Sequence, residues 1–242
     1  MLSSESSERL VAIDTATEVG HVAIFVSGKL VLEATQRVSN AHGESLLPLL
    51  SDLFSRAHLS PSEIDTWVVD VGPGSFTGVR VGVATVTGIL LGTRPRSGAG
   101  VTALGIVSLD ALVAHEGVRT AHPRSVRVGV IPSVRGEVFL GARGPDDALL
   151  LAPTAVLHGD VERVLSQLGH PLSEVVLVGA GAAALSKRVE LAACSFLASP
   201  PHESPSAVVL AELALAGHGR SSLDPLYVKP PAIHPGALLP SR

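Results

Sequence analysis

The stretch from Gly72 to Gly92, GPGSFTGVRVGVATVTGILLG, constrains this chain more than any other. It opens on a loop of Gly72, Pro73, Gly74 and Ser75, then continues in helical register with one charge, Arg80. Gly78, Gly82 and Gly88 fall inside that register. A glycine in a helix interior costs about 1 kcal/mol against alanine, so three cost about 3 kcal/mol. Such a helix recovers the loss where its backbone packs closely on its own sheet, on a second helix or on a ligand. The glycines alone do not choose among the three.

The 242 residues suffice for one large domain or two lobes. With 46% hydrophobic and 17% charged residues the chain is a packed protein and not a disordered one. Aromatics are only 3%, so aliphatic residues and alanine must build the core. A net charge of −4 gives no basic footprint for nucleic acid, which leaves action on RNA to a partner. The single cysteine, Cys194, excludes an intramolecular disulfide, and its apolar neighbours predict a buried structural thiol. The Ser/Glu-rich start lacks the pattern of a signal peptide. The longest uncharged apolar runs, 81–93 and 97–109, are shorter than the ~20 residues that span a bilayer. The expectation is a cytoplasmic protein with no membrane partner.

In chain order, 9–13, 21–26 and 30–36 read as strands, with the turn Asp14-Thr15-Ala16-Thr17 after the first. Leu46, Leu49, Leu50, Leu53 and Ala57 recur at helical spacing over 44–57, while Leu47 and Phe54 suggest a second apolar side. A brief helix follows Ser60-Pro61, then a strand at 66–71 and the glycine-rich helix. A strand at 98–101 and a helix at 102–115 complete a first α/β lobe, set at 1–118. The polar connection 119–125 opens a second lobe, 119–242. It holds a hairpin (126–131 and 137–142), a helix at 158–168, a strand at 174–178 ending in Gly179-Ala180-Gly181, a helix at 182–189, a last helix to about Gly217 and a proline-rich tail.

Three turns could frame a phosphate between two lobes: Asp14 to Thr17, Pro132 to Gly136 and Gly179 to Gly181. Each is also an ordinary turn by local pattern. There is no GxxxxGK[ST], and GPGSFTG is not GxGxxG, which excludes the Walker-type and dinucleotide-binding readings. His42 with Glu44, His115 with Glu116 and His202 with Glu203 are close His–carboxylate pairs. None forms HExxH, so they read as surface histidines or helix caps and no metal site is expected. No GxSxG elbow marks a catalytic serine.

AIDTAT near the start, HGESLLPLL at 42–50, GPGSFTGVRVGVATVTGI at 72–89, RGEVFLG at 135–141, VGAGA at 178–182 and PLYVKPP at 225–231 resemble the bacterial TsaB (YeaZ) family over nearly the whole chain. That resemblance implies an α/β, actin-like and Hsp70-like two-lobed ASKHA fold. It implies a non-catalytic subunit that pairs with its paralogue TsaD, the enzyme that transfers a threonylcarbamoyl group to A37 of ANN-decoding tRNAs. The ATPase TsaE joins that complex, tRNA is reached indirectly, and the chain is a homodimer when alone. The interface residues it implies are His42, Glu44, Leu47, Gly78, Val79, Arg80, Gly82, Val83 and Val86, with Gly78 and Gly82 admitting the partner helix. Asp14, Thr15, Gly179 and Gly181 would be a vestigial nucleotide site, with no cofactor beyond weak ATP or ADP binding at the complex interface. Two departures fit a non-catalytic role. The segment GAGVTALGIV lacks the metal-binding histidines of the catalytic paralogue, and Ile131-Pro132-Ser133-Val134 replaces the family's usual IDAR. The rival readings are a stand-alone ASKHA-type phosphotransferase and a metallopeptidase.

Overall fold

Two aliphatic runs buried on both faces, β1 (Arg9–Asp14) and β2 (Val19–Val26), and the more exposed β3 (Lys29–Arg37) form an antiparallel meander in the computed structural model of the protein. The structure describes residues 8–37, 42–92, 101–134 and 136–228, with the backbone alone for 42–44. β4 (Thr66–Asp70) and β5 (Thr102–Ile106) add in parallel beyond β1, giving the order β3-β2-β1-β4-β5. Strand parity then sorts the side chains. Val11 and Ile13 pack under α1 (His42–Ala57) and α2 (Phe76–Gly92), with Trp67, Leu50 and Leu53. Leu10 and Ala12 face the other way and pack against Leu210 and Ala211 of α7 (Ala207–Leu215).

The second sheet repeats the first. β6 (Val126–Pro132), β7 (Glu137–Arg143) and β8 (Leu149–Leu157) form the meander; β9 (Val175–Val178) and β10 (Ser195–Leu197) add in parallel, in the order β10-β9-β6-β7-β8. α5 (Val161–Ser166) and α6 (Gly181–Leu185) cover one face. α3 (Ser108–Ala114) and α4 (Glu116–Ala121) cover the other through Leu109, Leu112 and Val118. Close approach of α3 requires glycine beneath it. A Cβ on Gly129 would stand 2.9 Å from the Leu109 carbonyl oxygen, and one on Gly141 would stand 3.2 Å from Leu109 Cδ1.

The lobes exchange helices. α3 follows the first sheet but covers the second, α7 follows the second sheet but covers the first, and the two helices pack on each other. The expected division at residue 118 is therefore corrected: the chain crosses between sheets at Val107, and the last helix belongs to the first lobe's packing. Of the strand expected at 98–101, residues 98–100 lie outside the described residues; β5 at 102–106 occupies the start of the segment expected to be helical. β8 and β10 were not expected. β8 carries Pro153, which a sheet accepts on an edge strand, and β8 is that edge. Among the described residues, no helix is long and apolar enough to cross a membrane. Cys194 is buried, as its neighbours implied, and burial raises its thiol pKa.

Candidate functional site

The N-terminal loop of α2 and its first turns lie directly on the turn after β1. Gly74, Gly78 and Gly82, spaced by four, make that contact. A Cβ on Gly74 would overlap the Ala16 carbonyl, and one on Gly78 would overlap the Thr15 carbonyl. At Gly82 a Cβ would stand 2.5 Å from Thr15 Oγ1 and 3.2 Å from Val69 Cγ2. The Ser75 N–H donates to the Ala16 carbonyl at 2.7 Å. This corrects the expected role of Gly78 and Gly82. Their space is filled by the chain's own first turn and β4, so they do not admit a partner helix. Val79 and Val86 are buried on the same inward side and are likewise removed from the outer surface.

Beneath that turn lie two carboxylates, one step beyond the last paired rung of β1 and β4. Asp70 Oδ1 accepts from the Thr15 N–H at 2.7 Å and from Thr15 Oγ1 at 3.2 Å, while Oδ2 accepts from Ser108 Oγ at 3.4 Å. Asp14 Oδ1 accepts from the Ala16 N–H at 3.1 Å, and Oδ2 has no partner among the described residues. Both are fully buried. Burial raises Asp70 to about 6, against the hydrogen bonds it accepts. Burial first, and then the Asp70 charge, hold Asp14 well above the ordinary carboxylate range. The hydrogen bonds that Asp70 accepts favour the charge there, so of the two carboxylates Asp14 holds its proton to the higher pH.

His21, opposite Asp14 across β1 and β2, links this end of the sheet to α7. Its Nδ1 accepts from the Ala207 N–H at 3.2 Å, which assigns the proton to Nε2, 2.9 Å from Glu33 Oε2. Burial holds the imidazole below its ordinary pKa, against the pull of Glu33. Neither His21 nor Asp70 was singled out from the sequence. A polar residue at a strand end, as in TWVVD at 66–70, was the signal available for Asp70.

A cleft of about 350 Å³ opens between the lobes, lined by Ala16, Thr17, Ser75, Ile131, Pro132 and Ala180 among others. The expected nucleotide residues do not line it. Asp14 and Thr15 are buried beneath the turn, and a Cβ on Gly179 or Gly181 would press on Val130 of β6. The Thr15 and Ala16 N–H groups that could cradle a phosphate are already given to Asp70 and Asp14. The acidic side chains at the cleft are Glu18 and Glu203, and its basic residue, Arg37, is ion-paired with Glu203. These residues do not fit the phosphates of a nucleotide. His115, one of the close-paired histidines, caps α4 by accepting from the Gly117 N–H at 3.1 Å, as a cap reading implied.

The outward side of α2 is a separate surface. Phe76, Arg80, Ala84, Thr87, Gly88 and Leu91 recur at steps of three or four, and all are exposed, Leu91 at 85%. A Cβ on Gly88 meets nothing within 4 Å, so this glycine, and not Gly78 or Gly82, leaves room on the open face. Arg80 lies 4.5 Å over the Phe76 ring, whose other neighbour is Tyr227 at 5.5 Å. On the adjacent α1, Leu47 is 57% exposed, whereas Phe54 turns inward onto Trp67 at 6.0 Å. The second apolar side expected for α1 thus reduces to Leu47 on its outer surface. Val83 is half-buried, and the side chains of His42 and Glu44 lie outside the described residues.

Two mixed sheets of one topology, each flanked by helices and separated by a cleft, define a two-lobed protein of the actin-like ASKHA class. YeaZ from Pseudomonas aeruginosa has this fold, with a TM-score of 0.72 and 22% identity over 91% of this chain and 99% of that one. Residues 34–130 match the family model "TsaD: tRNA N6-adenosine threonylcarbamoyltransferase". The protein named tRNA threonylcarbamoyladenosine biosynthesis protein TsaB in Escherichia coli (strain K12) is 37% identical over 86 residues, 36% of this chain and 37% of its own. Its namesake in Haemophilus influenzae is 35% identical over 85 residues, 34% of this chain and 35% of its own. The chain spans about a third of the length of these curated relatives (37% and 35%). Over these stretches the chain is similar to proteins of the TsaB/YeaZ family.

Proposed function

We propose that this chain is a non-catalytic subunit of the machinery that makes N6-threonylcarbamoyladenosine at A37 of tRNA. It docks a TsaD-type paralogue through the outward face of α1 and α2. In this reading it acts in the cytoplasm, takes no cofactor of its own, reaches tRNA and a TsaE-type ATPase only within the complex, and pairs with a second copy when the partner is missing. The observation that carries the reading is the outer face of α2. Phe76, Ala84, Gly88 and Leu91 form an apolar strip with room for close helix approach, and no other described element covers it. An exposed apolar strip of this kind marks an association surface. The family relationship supplies the partner's chemistry, and the cleft supports the non-catalytic part, since its turn donors are already committed to Asp14 and Asp70.

The test is co-expression with the TsaD homologue of the same organism, followed by sizing and a tRNA modification assay with the complete set of components. Leu91→Asp is expected to weaken co-elution by about tenfold or more, because it places a charge in the centre of an apolar contact. The variant should keep its thermal midpoint, since Leu91 is exposed in the free chain. If Leu91→Asp and Gly88→Trp both co-elute like the unaltered chain, the surface is wrong.

A further inference from the structure

Where α3 meets α7, away from both the cleft and the outer helices, four arginines gather around two aspartates. Arg127 is buried, and its Nη2 donates to the Gly144 carbonyl and to Asp147 Oδ1, each at 2.6 Å. Arg143 Nε donates to Asp110 Oδ1 at 2.9 Å. Arg119 Nη2 stands 2.9 Å from Asp147 Oδ2. Arg220 differs from these three. Its backbone is fixed by a two-way bridge with Gly105, with N–H···O distances of 2.8 and 3.1 Å. Its side chain makes no ion pair among the described residues; Nη2 donates to the Asp224 carbonyl at 3.2 Å, and Nε is buried without an acceptor. Four guanidinium groups (Arg119, Arg127, Arg143, Arg220) less two carboxylates (Asp110, Asp147) leave two positive charges uncompensated.

Three of these arginines, Arg119, Arg143 and Arg220, line a cavity of about 210 Å³ together with Asp110, Asp147 and His218, with Ile106 and Leu213 among its apolar walls, so the lining keeps one guanidinium charge in excess, that of Arg220. The volume is below the roughly 300–1,000 Å³ of sites for drug-sized ligands and matches a single tetrahedral oxyanion with a few waters. Guanidinium forks present paired N–H donors that fit phosphate oxygens, and the apolar walls strengthen that attraction by lowering the local dielectric. Fastening α3, α4 and β6 to β7 and the turn after it accounts for Arg119, Arg127, Arg143 and both aspartates. It does not account for Arg220, which belongs to the chain after α7 and spends its charge on no carboxylate. We propose that this cavity is a phosphate-binding site. Arg220 and Arg119, backed by Arg143, take the oxyanion of a small phosphate ester or of a nucleic-acid backbone. The site does not depend on the docking face of α1 and α2.

Calorimetric titration of the full-length protein with inorganic phosphate, at ionic strength held constant with chloride, tests the proposal. Saturable binding with a dissociation constant of about 1 mM or tighter is expected. Arg220→Gln and Arg119→Gln should each weaken it about tenfold, and Arg220→Lys should weaken it less than Arg220→Gln. The exposed Arg56→Gln should leave it unchanged, and thermal midpoints should show each variant folded. A short unstructured RNA without terminal phosphates distinguishes the sources. If inorganic phosphate displaces it and Arg220→Gln loses both, a backbone phosphate is the ligand. If the RNA does not compete with bound phosphate, a small ester is the ligand. Absence of saturable phosphate binding up to about 10 mM, or equal affinity in the unaltered chain and both glutamine variants, overturns the site.

Discussion

The two sheets share one topology, and their difference lies one step beyond the last paired rung at the cleft end. In the first sheet Ile13 pairs with Val69, and the next positions are Asp14 and Asp70. In the second, Gly129 pairs with Val178, and the next positions are Val130 and Gly179. The residue across the meander from Asp14 is His21, and across from Val130 it is Leu140. One lobe therefore buries two carboxylates and an imidazole where the other buries an aliphatic cluster and a glycine. Buried polar groups are costly unless hydrogen-bonded. In the first lobe the N–H groups of the Thr15–Ala16 turn serve that need and are turned inward, away from the cleft. A shared architecture thus has one cleft wall tied to internal carboxylates and the other closed by packing.

Four substitutions test this contrast, beginning with the strongest. Gly82→Leu drives a side chain into Thr15 and Val69 and should lower unfolding free energy by about 3 kcal/mol or more. Gly88→Ala, on the open side of the same helix, should raise it by about 0.5–1 kcal/mol. Equal effects in urea unfolding would remove the assignment of inner and outer faces. Next, His21→Leu gives the first lobe the residue of the second and strands the Ala207 N–H at the start of α7, a loss of about 1–2 kcal/mol near neutral pH. The folded-state pKa of His21 is depressed, so its contribution is present above about pH 6.5 and is lost as pH falls through the lower folded value. The variant should lack that acid limb in thermal midpoints measured from pH 5 to 8.

The smallest effect concerns the carboxylates, and its sign is opposite. Asp70 is raised from 3.8 to about 6 on folding, so its stabilisation is complete at acid pH and is lost as pH rises through about 6. Asp14, raised well above its ordinary value, extends the decline to higher pH. Asp14→Asn mimics the protonated acid and should remove the upper part of the decline while leaving the part near pH 6. At pH 8 the variant should be more stable than the unaltered chain by more than the ~0.5 kcal/mol typical of surface changes. A parallel pH profile in urea unfolding would show that Asp14 is not protonated in the fold.

Much of this was legible in the chain itself. Short apolar runs bounded by turns located β1 to β3 and β6 with β7, helical spacing located α1, and the glycine-rich register located α2, because these signals are local to each element. The residues expected at an interface divide between the two sides of their helices. Leu47 and Arg80 are exposed, Gly78, Val79, Gly82 and Val86 lie inward, and Phe76, Gly88 and Leu91 share the exposed side of α2. A helix of small and apolar residues has no strong polar face to show which side meets solvent. β8 was hidden by Pro153, and the Asp70 and His21 partnerships by the long chain separations that they bridge.

The sequence by itself determined that Gly72 to Gly92 would form a glycine-bearing helix after a tight loop, that aliphatic residues and alanine would build the core, and that the motifs resemble those of the TsaB/YeaZ family. Only the tertiary structure decided what those glycines touch, that α3 and α7 cross to cover each other's sheets, and that arginines at 119, 143 and 220 converge on one cavity. The physical reason is range. Propensity and periodicity act over a few residues, whereas close approach, burial of charge and charge balance are set by groups far apart in the chain and brought together only by packing.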